Sequence, residues 1–374
     1  MDLSPEDTLR LNVLLANQPQ AIRIDESRMI VQSLGVQGEV TIRLNPNTRA
    51  DQYLRRVREL LSGHVLGSPG GYPIYLQRWT RMGQMRDESL AQLLLLGEPE
   101  AVVAAVCAPG LTDELARRAW WAMEDAGNAR RMLSNLAVAR SAMGQVLAEY
   151  LIEYLPFETE SEAIVESVRL VLQPGLLDRE GRGDLWRKAA RKPSYLVGFL
   201  QALPDDLPEP APARALAGAV HDLAGQGDAV AVLLQRVYSE RGQAFLKTVA
   251  AVLAKPPSQD VVLATFVCLR EYFAVLRPAG DPDLAIDDLL ADATRFANPD
   301  RAYLDVAKIL LQEPLLASEI AAMRFLSGVG YGLIRPILPD STTLGSLMRR
   351  KLAPVIIPLQ DSLDRLRRIS REFV

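Results

Sequence analysis

Histidine, cysteine and lysine are scarce in this chain. Its 374 residues hold two histidines, His64 and His221, and two cysteines, Cys107 and Cys268. Neither histidine has a second histidine, a cysteine or a Glu-x-x-His companion at ligand spacing, so no metal site and no other cofactor is expected. Two cysteines in unrelated apolar contexts form no disulfide framework and fit a reduced, cytoplasmic protein. The first of the six lysines is Lys188. A Walker-type phosphate lysine and a Schiff-base lysine are therefore excluded from the first half of the chain. Long apolar runs are missing too. The segment from Val261 to Leu276 is interrupted by Arg270 and Glu271, and no membrane span is expected. The acidic start, Met1 to Asp7, lacks the basic and apolar regions of a secretory signal.

What is present describes a folded protein. Hydrophobic residues make up 49% and charged residues 24%, the balance of a chain that buries a core. A formal net charge of −4 gives no general attraction for nucleic acid or an anionic membrane, so such binding would need a local patch.

The pattern along the chain predicts a mainly α protein with a small N-terminal α+β unit, followed by an array of helical hairpins, HEAT-like or an irregular helical bundle. Ser4 is placed to cap a helix that begins at Pro5, with Asp7 reaching back to the cap and Leu9, Val13 and Asn17 marking its apolar face and end. Alternation predicts strands over 20–26, 29–34 and 38–44. An amphipathic helix from about Arg49 to Ser62 buries Leu54, Val57 and Leu61, with Gly63 as its terminator. Beyond residue 88 helices dominate. Thr112 starts one that carries Leu115, Ala116, Ala119, Trp120 and Met123 on one arc and Trp121 on the opposite face. The Pro-Gly-Leu-Thr-Asp-Glu turn at 109–114 is echoed by Pro-Gly-Leu-Leu-Asp-Arg at 174–179. The four prolines of 203–214 suggest a linker. Helices are expected at 215–224, 228–254, 258–276, 283–296, 300–312 and 315–327, with two more after them. The regions are therefore 1–85, 86–210 and 211–374, continuous packing across 210 being the alternative.

Several constellations could carry chemistry. Between Arg49 and Arg86 seven arginines face two acids, a local charge of +5. Arg55, Arg58, Arg78 and Arg81, with Tyr72, Trp79 and Trp121, are the candidate binding residues, since cations interleaved with aromatics can grip a single strand or a phosphate. The bland alternative is that the aromatics are core and Arg55 pairs with Glu59. Gly67 to Arg81 is expected to form a turn at Pro69-Gly70-Gly71, then a strand with Ile74 and Leu76 inward and Arg78 and Arg81 outward. Ser327 to Gly332 has the glycines of a dinucleotide loop without its strand-turn-helix context and reads as a close-packed helix connection. The glutamates from Glu149 to Glu166 read as a solvated face, although they could dock a basic partner. Cys107 could act as a sulfur carrier, but it falls at a helix C-terminus, where the dipole disfavours a thiolate. No catalytic residue is assigned.

The segments Leu9 to Asn17, Ala21 to Ser27, "LLSGHVLGSPGGYPIYLQRWTRMGQM" at 60–85, and "LLLLGEPEAVVAAV" through "GLTDELARRAWWAM" to 123 resemble the DsrS family. These are accessory proteins encoded with the dissimilatory sulfite reductase genes of sulfur-oxidising bacteria. The resemblance is best over roughly the first 200 residues and implies a cytoplasmic accessory or regulatory role in sulfur oxidation, through a protein partner of that pathway. It brings no catalytic residues. Nucleic-acid binding through 49–86 is the alternative, and a sulfur-handling enzyme using Cys107 is a second.

Overall fold

A computed structural model describes residues 3–67, 87–298, 304–338 and 345–367. The architecture is mainly α, with one three-stranded sheet near the N-terminus. The chain forms two compact units, 1–156 and 157–374.

In the first unit, Ser4 caps helix α1 (Pro5–Ala16), its hydroxyl accepting from the Asp7 amide at 3.2 Å. The buried face of α1 is Leu11, Leu14 and Leu15, joined by Asp7, whereas Leu9 and Val13 are exposed. This corrects the face expected from Leu9 and Val13. The three leucines bury more apolar area together than Leu9 and Val13 would. Strands β1 (Ala21–Asp25), β2 (Ile30–Gly35) and β3 (Gly38–Arg43) then form an antiparallel meander with Ile22 opposite Ser33 and Val31 opposite Ile42. Helix α2 (Ala50–Leu66) closes this core with Tyr53, Leu54, Val57 and Leu61. It runs through Gly63 and ends at Gly67, whose φ of 65° is the left-handed conformation that glycine adopts without a steric penalty.

Helices α3 (Asp87–Leu93), α4 (Pro99–Val106), α5 (Asp113–Ala122), α6 (Ala126–Leu133), α7 (Leu136–Ala139) and α8 (Ala142–Tyr154) complete the unit. No break separates them from the sheet. The Ile22 amide donates to the Leu94 carbonyl at 2.8 Å, and α5 packs on β1. The sequence break near 85 is therefore not where the compact unit ends. Thr112 caps α5. The Trp120 ring meets Tyr150 of α8 edge-on at 4.7 Å, while Trp121 faces the sheet, so this helix does contact neighbours on both sides.

The second unit comprises α9 (Ser161–Val171), α10 (Arg179–Ala189), α11 (Pro193–Ala202), α12 (Gly218–Gly225), α13 (Ala229–Tyr238), α14 (Glu240–Ala254), α15 (Gln259–Tyr272), α16 (Ile286–Phe296), α17 (Leu304–Gln312), α18 (Ala317–Leu326), α19 (Tyr331–Ile334) and α20 (Gly345–Arg367). Asp178 caps α10, and Trp186 follows that cap by eight residues, as Trp120 follows Thr112. The expected 228–254 helix is two helices, because Ser239 is extended (ψ 163°) and its hydroxyl caps the second. Met348, Leu352, Val355, Leu359, Leu363 and Leu366 give α20 one apolar stripe in a core shared with α14 and α18.

The proline-rich 203–214 stretch is bound into this core. Arg214 donates to the Leu366 carbonyl at 2.5 Å, closing the C-terminal end of α20, pairs with Glu319 at 3.4 Å, and lies over the Tyr238 ring at 4.1 Å. Helix α11 packs against α14 and α15 across the same stretch, so the chain does not divide near 210.

Candidate functional site

Each arginine in the described part of the N-terminal basic patch has an acidic neighbour, four arginines against three carboxylates. Arg49 pairs with Asp51, Arg55 and Arg56 share Glu59, and Arg58 reaches Glu26. A hydrogen bond from Arg56, aided by Arg55, holds the Glu59 carboxyl below its usual range. Tyr72, Arg78, Trp79 and Arg81, with the turn and strand expected around them, lie outside the described residues.

Trp121 belongs to a different cluster from Arg55 and Arg58. Its indole N–H donates to Glu39 at 2.6 Å, the Arg23 guanidinium lies 4.5 Å from its ring, and its carbonyl accepts from Arg23 at 2.9 Å. These bonds tie α5 to β1 and β3. At the start of α5, hydrogen bonding from Arg117, with Arg118 adding to it, holds Glu114 at about 2 despite partial burial.

The remaining sequence candidates occupy quiet positions. His64 sits exposed in the last turn of α2. His221 lies 3.5 Å from the Gln235 amide. Cys107 is exposed at the C-cap of α4, and Cys268 is buried, its thiol pushed up to about 12 by that burial. Among the described residues no group of three or more His, Cys, Asp or Glu is placed to hold a metal ion, and no helix is long and apolar enough to cross a membrane. Glu149 and Glu153 are exposed. The glycine segment is close-packed. A Cβ on Gly330 would stand 2.0 Å from the Asp281 carboxylate, and one on Gly332 would stand 2.5 Å from Asp283.

Two clefts of the second unit bring together residues far apart in sequence. The first, about 410 Å³, has apolar walls from Trp186, Ala190, Leu196 and Ala251. The Trp186 ring is fixed edge-on against Phe199 at 5.0 Å. At the polar side Lys247 and Glu209 pair at 2.6 Å. The Lys247 hydrogen bond holds Glu209 below the usual carboxylate range, and a bond from Trp186 adds to this. The end of α10 and the turn after it carry Arg187, Lys188, Arg191 and Lys192, a run with no acidic residue in it, of which Arg187 lines the cleft. Arg187 is engaged by Asp184 and Lys192 lies 5.2 Å from the Tyr195 ring, while Lys188 and Arg191 are exposed.

The second cleft, about 420 Å³, lies between the segment after α15 and the helices α16, α17 and α18. Arg277 and Arg324 both bind one oxygen of Asp292, at 2.5 and 3.0 Å. Burial raises the Asp292 pKa, but the two guanidinium hydrogen bonds outweigh it and leave the carboxyl below its usual range.

None of the residues that form these two clefts was singled out in the sequence. Their signal is faint: Arg324 stands between buried Met323 and Phe325, and Arg277 follows buried Leu276. An arginine inside an apolar run points to a buried partner. Compared with known proteins, the chain matches no protein-family model, no curated protein and no solved structure.

Proposed function

We propose that this chain is a non-enzymatic accessory or regulatory protein of bacterial sulfur oxidation, cytoplasmic, and acting by binding a partner protein. The pathway and compartment rest on the resemblance of 9–17, 21–27, 60–85 and 93–123 to the DsrS family. The binding role rests on the Trp186 cleft.

That cleft has the ingredients of a protein-docking anchor point. An indole with aliphatic walls offers a large apolar contact area, and tryptophan and arginine are the residues on which interface energy concentrates. The internal charges, Lys247 and Glu209, satisfy each other. Arg187 lines the cleft, and Lys188 and Arg191 are exposed cations of the same run that lie outside the lining. The partner that fits presents an apolar side chain flanked by carboxylates.

The test is affinity capture by the full chain from an extract of a sulfur-oxidising bacterium, with Lys188→Glu/Arg191→Glu as the comparison. The expected result is an enzyme or carrier of sulfur oxidation, identified by mass spectrometry, retained after nuclease treatment and lost with the charge-reversed variant. Capture that nuclease abolishes would favour the nucleic-acid reading. Capture unchanged by the charge reversal would remove the cleft from the account.

A further inference from the structure

The Arg277–Asp292–Arg324 cleft has an excess of buried positive charge facing an apolar space. The side chains of Arg277 and Arg324 are 9% and 13% exposed, and that of Asp292 is 23% exposed. One carboxylate serves two guanidiniums, which leaves one positive charge uncompensated among these three groups. Each guanidinium carries five N–H donors. Arg324 uses two of its nitrogens, for Asp292 and the Leu276 carbonyl, and its plane covers the Phe296 ring at 4.5 Å. Arg277 uses one, for Asp292; its Nε, also without a hydrogen-bond partner among the described residues, is sealed beside Gly328, so the nitrogen left for the cleft is the terminal one not bonded to Asp292. Desolvated cations left unmatched are unfavourable, and an anion delivered to them gains what water can no longer supply.

The rest of the cleft selects against a bare ion. Val230, Val275, Leu276, Phe296 and Val306 line it. Its volume of about 420 Å³ falls in the range typical of small-molecule sites. Val275 is 52% exposed and stands at the open side, while Leu276 and Val306 are buried.

We propose that this cleft binds a small organic monocarboxylate, the carboxylate against Arg277 and Arg324 and an aliphatic or aromatic body along Val230, Phe296 and Val306. A single negative charge balances the excess, the guanidinium edge matches the planar carboxylate, and the apolar walls take the body. The site is separate from the Trp186 cleft and does not depend on the partner proposed there.

Isothermal titration calorimetry of the full chain with octanoate tests this, with 1-octanol and acetate as probes of the body and the headgroup alone. Octanoate is expected to bind at one site per chain, at least about tenfold more tightly than either control, the factor that one charged hydrogen bond supplies. Arg324→Gln should lower octanoate affinity about tenfold or more. That variant disturbs a buried ion pair, so Val275→Glu is the second: it places a carboxylate at the exposed edge, should leave the melting temperature unchanged, and should weaken octanoate but not octanol. Octanoate binding no better than octanol, binding that Val275→Glu leaves intact, or no heat at about 10 mM, weaker than any specific site of use, would overturn the proposal.

Discussion

The phenolic hydroxyl of Tyr53 donates to the carboxylate of Asp7 across 2.5 Å, and both residues are fully buried. The same carboxylate oxygen accepts from the Asn45 amide at 2.7 Å, and the hydroxyl lies 3.2 Å from the Ser4 side chain. A residue placed in the first turn of α1 thus joins α1 to α2 and to the segment after β3. Tyr53→Phe, which removes one donor to a buried carboxylate, should lower stability by about 1–3 kcal/mol, and Asp7→Ala should cost at least as much because it strands two donors. Urea unfolding midpoints measure both, and a loss under about 0.5 kcal/mol for either would mean the bond carries little.

Alkali should weaken the protein through groups kept protonated by burial. The Cys268 thiol is pushed up to about 12, and burial also raises the phenols of Tyr53 and Tyr272. Between the ordinary thiol pKa and about 12 the unfolded chain binds fewer protons at Cys268 than the folded one, so stability is full below that window and falls as pH rises through it. The thiol contributes a slope of up to about 1.4 kcal/mol per pH unit. Cys268→Ala should flatten the stability profile between about pH 9 and 11. An unchanged slope would show that the thiol ionises in the folded state.

Two glycines should respond in opposite directions. Gly63 lies within α2, and a Cβ at that position would meet nothing within 4 Å, so Gly63→Ala should stabilise by about 0.5–1 kcal/mol. A Cβ on Gly242 would lie 2.1 Å from the Arg236 carbonyl oxygen, a backbone atom that cannot swing aside, so Gly242→Ala should destabilise by about 1–3 kcal/mol. Thermal unfolding of the two variants separates them. Destabilisation by Gly63→Ala would return that residue to the role of helix terminator.

Local signals were legible in the sequence and tertiary ones were not. The Ser4 cap, the three strands and the Thr112 cap depend on neighbouring residues, and alternation and cap chemistry reveal them. Gly63 misled because a glycine in mid-helix resembles one at a helix end, and the αL residue was the next glycine, Gly67. Asp7 read as a capping-box acid because its bond to Tyr53 spans 46 residues. Proline content made 203–214 resemble a linker, but Arg214 reaches the far end of the second unit's sequence, 152 residues on. Trp121 is a lock on the sheet for the same reason: its partners Arg23 and Glu39 lie 98 and 82 residues away. Both clefts depend on such long-range pairings, which no periodicity encodes.

If the Trp186 cleft holds an acidic partner protein through an apolar anchor, as proposed, the contributions of the anchor and of the neighbouring cations should be separable. The most direct measurement is the affinity of the purified captured partner for wild type, Trp186→Ala and Lys188→Glu/Arg191→Glu, each first shown to be folded by its thermal transition. Trp186→Ala should weaken binding by about 2 kcal/mol or more, close to thirtyfold, as an interface anchor does. The charge reversal should slow association and reduce its salt dependence. Equal affinity of all three proteins for the partner would contradict the account.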